Sequence, residues 1–300
     1  GYDRLSGGTG DDVLDGGAGA FQLAGGPGAD RLRAGGGKGQ IDGGRGADRI
    51  FVRNVAGAIL GEGGADVLRG VGNLGNATFA GGAGRDLYVF GPGAECAHLF
   101  ELPDEGIDRV RTSRCVTGLR DIERIVLTGT APLTIATGLG TQTIIGNSAG
   151  NRLSGGAGPD RIHGGGGPDL IVLGSDAFDT VSGGAGADRF RPTGTPAVVR
   201  GTGLPAGAVA HRILDFDLAE EDRIVLTSGV YGTSVRQLER DFRVVSSTAP
   251  QAEVRGAALL WNTSTHLLSF DRDGTGPISP KVIAILPTVY GISPSMFIIS

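Results

Sequence analysis

A large aliphatic residue returns every nine positions at the start of the chain. Leu5, Leu14, Leu23, Leu32, Ile41, Ile50, Ile59 and Leu68 are successive occurrences. The segments around them, from Gly7 onward, read GGTGDDVLD, GGAGAFQLA, GGPGADRLR, AGGGKGQID, GGRGADRIF, VRNVAGAIL and GEGGADVLR. A second block runs from Gly146 to Arg191 as GNSAGNRLS, GGAGPDRIH, GGGGPDLIV, LGSDAFDTVS and GGAGADRFR. Its apolar slots are Leu153, Ile162, Ile171, Val181 and Phe190, and an isolated copy, GGAGRDLYV, begins at Gly81. One apolar side chain per unit reaches a thin interior. A unit this small buries too little surface by itself, so the units must stack. The glycines supply the positive φ angles that tight turns need.

Composition narrows the class. The chain has 57 glycines in 300 residues, but not at every third position, and only 14 prolines, which excludes collagen. A periodic 39% hydrophobic content argues against disorder. So many glycines argue against a helical domain, at roughly 1 kcal/mol each. No run approaches the 18 or so apolar residues of a membrane span. The net charge of −5 hides a bias of 23 Asp over 9 Glu and 25 Arg over 2 Lys. Aspartate suits turns and oxygen-rich metal sites. No basic stripe points to nucleic acid. The chain opens at the fourth position of a nonad without an initiator Met, and is expected to continue a longer array.

These segments resemble the G-G-x-G-x-D-x-U-x nonapeptide of the repeats-in-toxin (RTX) family, where U is a large apolar residue. The resemblance implies an all-β fold, a right-handed parallel β-roll or β-solenoid. Six residues of each nonad form a turn, three form a strand, and two nonads complete a coil. Residues 1–91 are then a first roll block, 92–145 irregular solenoid coils, 146–191 a second block, and 192–300 a C-terminal β cap with a secretion region.

Two nonads per coil stack residues 18 apart on one face. In the first block Asp12, Asp30, Asp48 and Asp66 fall one coil apart, while the alternate face carries Phe21, Gly39 and Gly57. Asp86 follows by 20 and is expected to close the column after a small bulge. In the second block Asn151, Asp169 and Asp188 form one column, and Asp160 with Asp179 another. Bare carboxylates in a column repel, and calcium offsets this with six to eight oxygen ligands. The turn glycines offer backbone carbonyls: Gly8, Gly10, Gly26, Gly28, Gly44 and Gly46 in the first block, Gly156, Gly158, Gly165, Gly167, Gly184 and Gly186 in the second. About five to eight calcium ions are expected. Aspartates that merely shaped turns would not alternate with non-ligands while the core slot persists.

The rest of the chain is less regular. Strands are expected near 212–216, 223–226, 242–245, 257–261, 267–270, 282–286 and 296–299. The segment ILDFDLAEEDRIVL resembles the end cap that follows RTX repeats; Asp215 and Asp217 are either terminal calcium ligands or part of a solvated turn. Asp271, Asp273 and Gly274 read as a hairpin turn rather than half an EF-hand, since the downstream Glu is absent. Cys96 and Cys115 are either one disulfide or two buried thiols; their spacing fits no zinc motif.

No catalytic constellation emerges. GNSAG formally matches a nucleophile elbow, but Ser148 sits in the nonad register as a turn residue. His98, His163, His211 and His266 are scattered, and no HExxH occurs. The chain is expected to be a non-enzymatic calcium-binding module of a secreted or cell-surface protein, folding on extracellular calcium. The resemblance implies the type I secretion machinery as export partner. Two other readings stand beside it: an adhesin or surface-layer spacer that attaches or self-associates, and the accessory C-terminal part of a secreted hydrolase such as a serralysin-like protease, lipase or alginate epimerase. A catalytic domain upstream is left open.

Overall fold

A computed structural model describes residues 1–174, 177–193, 211–227, 244–247, 258–271, 281–287 and 294–300. Two compact units divide the chain, Gly1–Asn147 and Ser148–Ser300. Among the described residues the structure is all β, apart from one short 3₁₀ turn at Pro294–Met296. No helix of these residues is long and apolar enough to cross a membrane.

The first unit is a parallel β-roll. One sheet stacks β1 (Tyr2–Ser6), β3 (Ala20–Pro27), β5 (Gly37–Arg45), β7 (Val55–Gly64), β9 (Ala77–Gly84), β11 (Ala97–Leu99) and β13 (Val116–Thr117). The facing sheet stacks β2 (Val13–Asp15), β4 (Arg31–Ala34), β6 (Arg49–Arg53), β8 (Val67–Val71), β10 (Leu87–Phe90), β12 (Arg109–Thr112), β14 (Arg124–Leu127) and β16 (Thr143–Ile145). β15 is Thr134–Ala136. Consecutive strands alternate between the two sheets, so every coil crosses the roll twice.

Register follows the apolar slot. Leu5 pairs with Leu23, Leu23 with Ile41, Ile41 with Ile59, and Ile59 with Phe79. On the other sheet Leu14, Leu32, Ile50, Leu68, Tyr88, Val110, Ile125 and Ile144 line up. All of these are buried except Leu5 on the outermost strand. A one-residue slip would turn every slot outward, so the pattern specifies the pairing. The slot persists through the segment expected to be irregular, where Val110, Ile125 and Ile144 keep it after the glycine rhythm is lost.

The coil that lengthens to 20 residues does so in the turn away from the aspartates. Pairing is in step through Val71 and resumes at Ala77, so the extra residues lie within 72–76. There Leu74 is fully buried. It fills the space left by Gly70, where a Cβ would meet Leu74 and the Phe79 ring. Cys96 and Cys115 form a disulfide. They precede the paired residues Ala97 and Val116, which sets the two sulfurs side by side on adjacent coils.

The second unit repeats the roll with β17 (Arg152–Ser154), β19 (Leu170–Leu173), β21 (Arg189–Pro192), β23 (Arg223–Leu226) and β28 (Phe297–Ile299) in parallel register. Opposite stand β18 (Arg161–Gly166), β20 (Thr180–Ala185), β22 (His211–Ile213) and β27 (Lys281–Ile285). Antiparallel pairing of β25 (Ala258–Asn262) with β26 (Leu267–Asp271), and of β26 with β27, ends the roll pattern, and β24 (Val244–Ser247) pairs with β25. Leu259, Leu260, Trp261, Leu268 and Phe270 are buried in this meander. Phe242, Arg243 and Ala257 of the expected strands, and Asp273 and Gly274 of the expected hairpin, lie outside the described residues.

Candidate metal columns

Each nonad aspartate of the first unit is tied to the next coil by a hydrogen bond. The Asp12 N–H donates to Asp30 Oδ1 at 2.8 Å, Asp30 to Asp48 at 2.7 Å, Asp48 to Asp66 at 2.7 Å and Asp66 to Asp86 at 2.7 Å. The column does not close at Asp86, contrary to what the spacing suggests. Asp86 N–H donates to Asp108 Oδ1 at 2.8 Å, and Asp108 N–H to Glu123 Oε2 at 2.6 Å. The continuation has a local cause. A D/E-R-U tripeptide survives as Asp108-Arg109-Val110 and Glu123-Arg124-Ile125, and strand pairing places each at the same level of the coil.

The second carboxylate oxygen is the informative one. Oδ2 of Asp30, Asp48, Asp66 and Asp86 is buried and has no hydrogen-bond partner. It sits over the first glycine of its own nonad. A Cβ on Gly43 would lie 2.5 Å from Asp48 Oδ2 and 2.9 Å from the Gly61 carbonyl oxygen of the next coil. Gly25 and Gly61 repeat this with Asp30 and the Gly43 oxygen, and with Asp66 and the Gly81 oxygen. So the glycine is required by the close approach of a carboxylate and a carbonyl, and those two oxygens converge in each of these coils. An all-oxygen donor set with unsatisfied buried carboxylate atoms fits calcium.

The other turn glycines stack rather than converge. A Cβ on Gly26 or Gly44 would strike the carbonyl of Gly8 or Gly26, and one on Gly28 or Gly46 the carbonyl of Gly10 or Gly28. All six have positive φ. At this level the opposite face of the same coils carries a carboxylate only at Asp3, exposed on the outermost strand. Phe21 is fully buried there and its ring lies against Gly39.

The second unit has two columns. Asn151 N–H donates to Asp169 Oδ1 at 2.6 Å, Asp169 to Asp188 at 2.8 Å, and Asp188 to Asp222 at 2.9 Å. Asp160 N–H donates to Asp179 Oδ1 at 3.1 Å, and Asp179 N–H to His211 Nδ1 at 3.2 Å. Gly156, Gly158, Gly165, Gly167, Gly184 and Gly186 all take positive φ in the turns. A Cβ on Gly164 would overlap both Asp169 Oδ2 and the Gly183 oxygen, as in the first unit. Asp215 is placed differently from the column aspartates: its two oxygens accept from the Gly183 and Gly184 amides, both at 2.9 Å. Asp217 Oδ1 accepts from Ala219, and its own N–H donates to Asp222 Oδ2 at 2.9 Å.

Burial dominates the electrostatics. It pushes the Asp66 and Asp108 carboxyls up to about 6 and Asp86 to about 7, with neighbouring carboxylates adding to the rise. Asp48 moves upward for the same reason. In the second unit burial lifts Asp169 and Asp222 to about 6 and Asp188 to about 7. Hydrogen bonds from backbone N–H groups pull each of them back only in part.

Fold and columns together define a metal-binding parallel β-roll. The family model of the RTX calcium-binding nonapeptide repeat matches in four copies, at residues 1–20, 22–51, 145–177 and 171–191. No curated protein matches the sequence. The matched residues are thus RTX calcium-binding nonapeptide repeats, carried on a parallel β-roll. Sequence reasoning missed Asp108, Glu123, Asp222 and His211. The D/E-R-U tripeptide could have found the first three, since Asp222-Arg223-Ile224 also carries it. Nothing local marks His211.

Proposed function

We propose that this chain is a calcium-coupled folding and stability module of a secreted protein. The observation that carries the reading is the row of buried, unpartnered Oδ2 atoms, approached by carbonyls of the next coil. Asp30, Asp48 and Asp66 in the first unit, and Asp169 in the second, would hold calcium with those carbonyls, while Asp86 and Asp188 offer the same unpartnered Oδ2. Asp12, Asn151, Asp160 and Asp179 extend the same columns, for a total of about five to eight ions. Calcium supplies the positive charge that lets these carboxylates stay ionised inside the fold. Because the cage exists only when coils are stacked, binding free energy becomes folding free energy. In a cytosol low in calcium the columns repel and the chain stays loose, which suits export. In an extracellular medium rich in calcium the coils close.

The Cys96–Cys115 disulfide supports an oxidising, extracellular destination. The C-terminal segment serves in this reading as the type I secretion region. The test is a calcium titration of metal-stripped protein followed by far-UV circular dichroism, with magnesium as control. A cooperative gain of β signal with calcium and not with magnesium is expected. A fully folded apo protein that ignores calcium would sink the proposal.

A further inference from the structure

One register position in the first unit breaks the glycine row. β11 pairs with β9 as His98 with Thr78 and Leu99 with Phe79. Two residues on, Glu101 stands level with Gly81, the first glycine of its nonad. In earlier coils that row is Gly7, Gly25, Gly43, Gly61 and Gly81, and from Gly43 onward its carbonyl approaches the aspartate of the coil before. Here a carboxylate side chain is sent instead.

Glu101 is 6% exposed, and Asp86 and Asp108 are each 1% exposed. Glu101 Oε1 accepts the Gly81 N–H at 3.0 Å. Its Oε2 is buried without a hydrogen-bond partner, as is Asp86 Oδ2. One oxygen from each of Asp86, Glu101 and Asp108 lies within 4.8 Å of the other two. No cationic side chain of the described residues pairs with any of them. Three ionised carboxylates at this separation, away from water, need a counter-charge. Oxygens so spaced suit calcium at about 2.3–2.6 Å, whereas magnesium at about 2.0–2.1 Å demands a tighter, near-octahedral set.

We propose that Asp86, Glu101 and Asp108 form a calcium site of their own, in which a glutamate side chain takes the part that a glycine carbonyl plays in the repeats. It lies outside the residues matched by the repeat model. It shares Asp86 with the column and rests on the column reading only for that residue. With three carboxylates rather than one per coil, this is the site that fills first. It anchors the column where the nonapeptide pattern stops.

Tyr88 gives a local readout. Its ring is fully buried, and its hydroxyl accepts the same Gly81 N–H that Glu101 takes. Terbium bound here should emit on tyrosine excitation. The experiment titrates the metal-stripped full chain with terbium by luminescence and with calcium by calorimetry. Glu101→Gln and Glu101→Gly are compared with the parent, and Tyr88→Phe is the optical control. Glu101→Gly restores the repeat's own residue and so protects against a variant that fails to fold. Both Glu101 variants are expected to bind one calcium ion fewer, to lose the first binding step and to lose the sensitised emission. Asp30→Ala should bind less calcium yet keep that emission. Unchanged stoichiometry and emission in both Glu101 variants would overturn this site and leave the columns standing. A parent that binds a single ion, lost in Glu101→Gly, would support this site and defeat the columns instead.

Discussion

The two turn faces of the first unit come from the same coils and have opposite chemistry. One holds Asp12, Asp30, Asp48 and Asp66, joined coil to coil by N–H to carboxylate bonds. The other holds Phe21, Gly39, Gly57 and Ala77 at matching positions. Both keep buried aliphatic slots beside them. Aspartate is therefore not what makes the chain turn; strand pairing and the apolar ladder do that. The phenylalanine face is complete as it stands, whereas the aspartate face buries carboxyls that either protons or a metal cation must neutralise.

The pH dependence of metal-free protein should separate the faces most. Asp66, Asp86, Asp108, Asp169, Asp188 and Asp222 have folded pKa values raised above the ordinary aspartate value. The folded state therefore binds more protons than the unfolded one between those values. Stability from these groups is fully present below about pH 4 and is lost as pH rises through about 6 to 7. A tenfold difference in proton affinity between folded and unfolded chain is worth about 1.4 kcal/mol, so several groups together outweigh any single contact. In chelator, the thermal midpoint should fall from about pH 5 to about pH 8, and saturating calcium should abolish the fall. A flat midpoint without metal would remove the distinction between the faces.

The next largest effect lies on the apolar face. Phe21→Ala opens a cavity above Gly39 and should cost about 3–5 kcal/mol by urea unfolding. The loss should be similar in saturating calcium and in metal-free protein at about pH 5, where protonated carboxyls hold the roll folded, because no ligand is touched. A loss seen only with calcium would mean that the two faces are one cooperative site.

The smallest effect sharpens the comparison on the metal face. Asp48→Asn keeps an oxygen for the Asp30 N–H but removes a buried charge. Metal-free protein should gain about 1 kcal/mol or less, while the calcium midpoint moves to higher concentration. Equal stability and equal calcium response would show that Asp48 is only a turn residue.

Where spacing is constant, the columns can be read without coordinates. Equal coils put Asp30 beside Asp48 and Leu32 beside Ile50, and the structure pairs them so. Where coil length varies, that arithmetic stops working. Asp86 and Asp108 are 22 residues apart, Asp108 and Glu123 are 15, and Asp188 and Asp222 are 34, yet each pair is joined as adjacent coils are. Only the local D/E-R-U pattern hinted at them. His211, joined to Asp179 across 32 residues, had no such hint, because an imidazole at the end of a column follows no repeat rule.

The nine-residue period by itself determined the inward slot and, with the two-nonad coil implied by the resemblance to RTX repeats, the face that carries aspartate. Stacking at constant spacing turns a sequence interval directly into a spatial neighbour. Tertiary structure alone decided whether Cys96 and Cys115 meet, how far the first column runs, and that Glu101 turns inward beside Asp86 and Asp108. Each of these depends on how an irregular loop is taken up between paired strands. The buried slots Tyr88, Leu99 and Val110 hold the paired strands on either side of those loops.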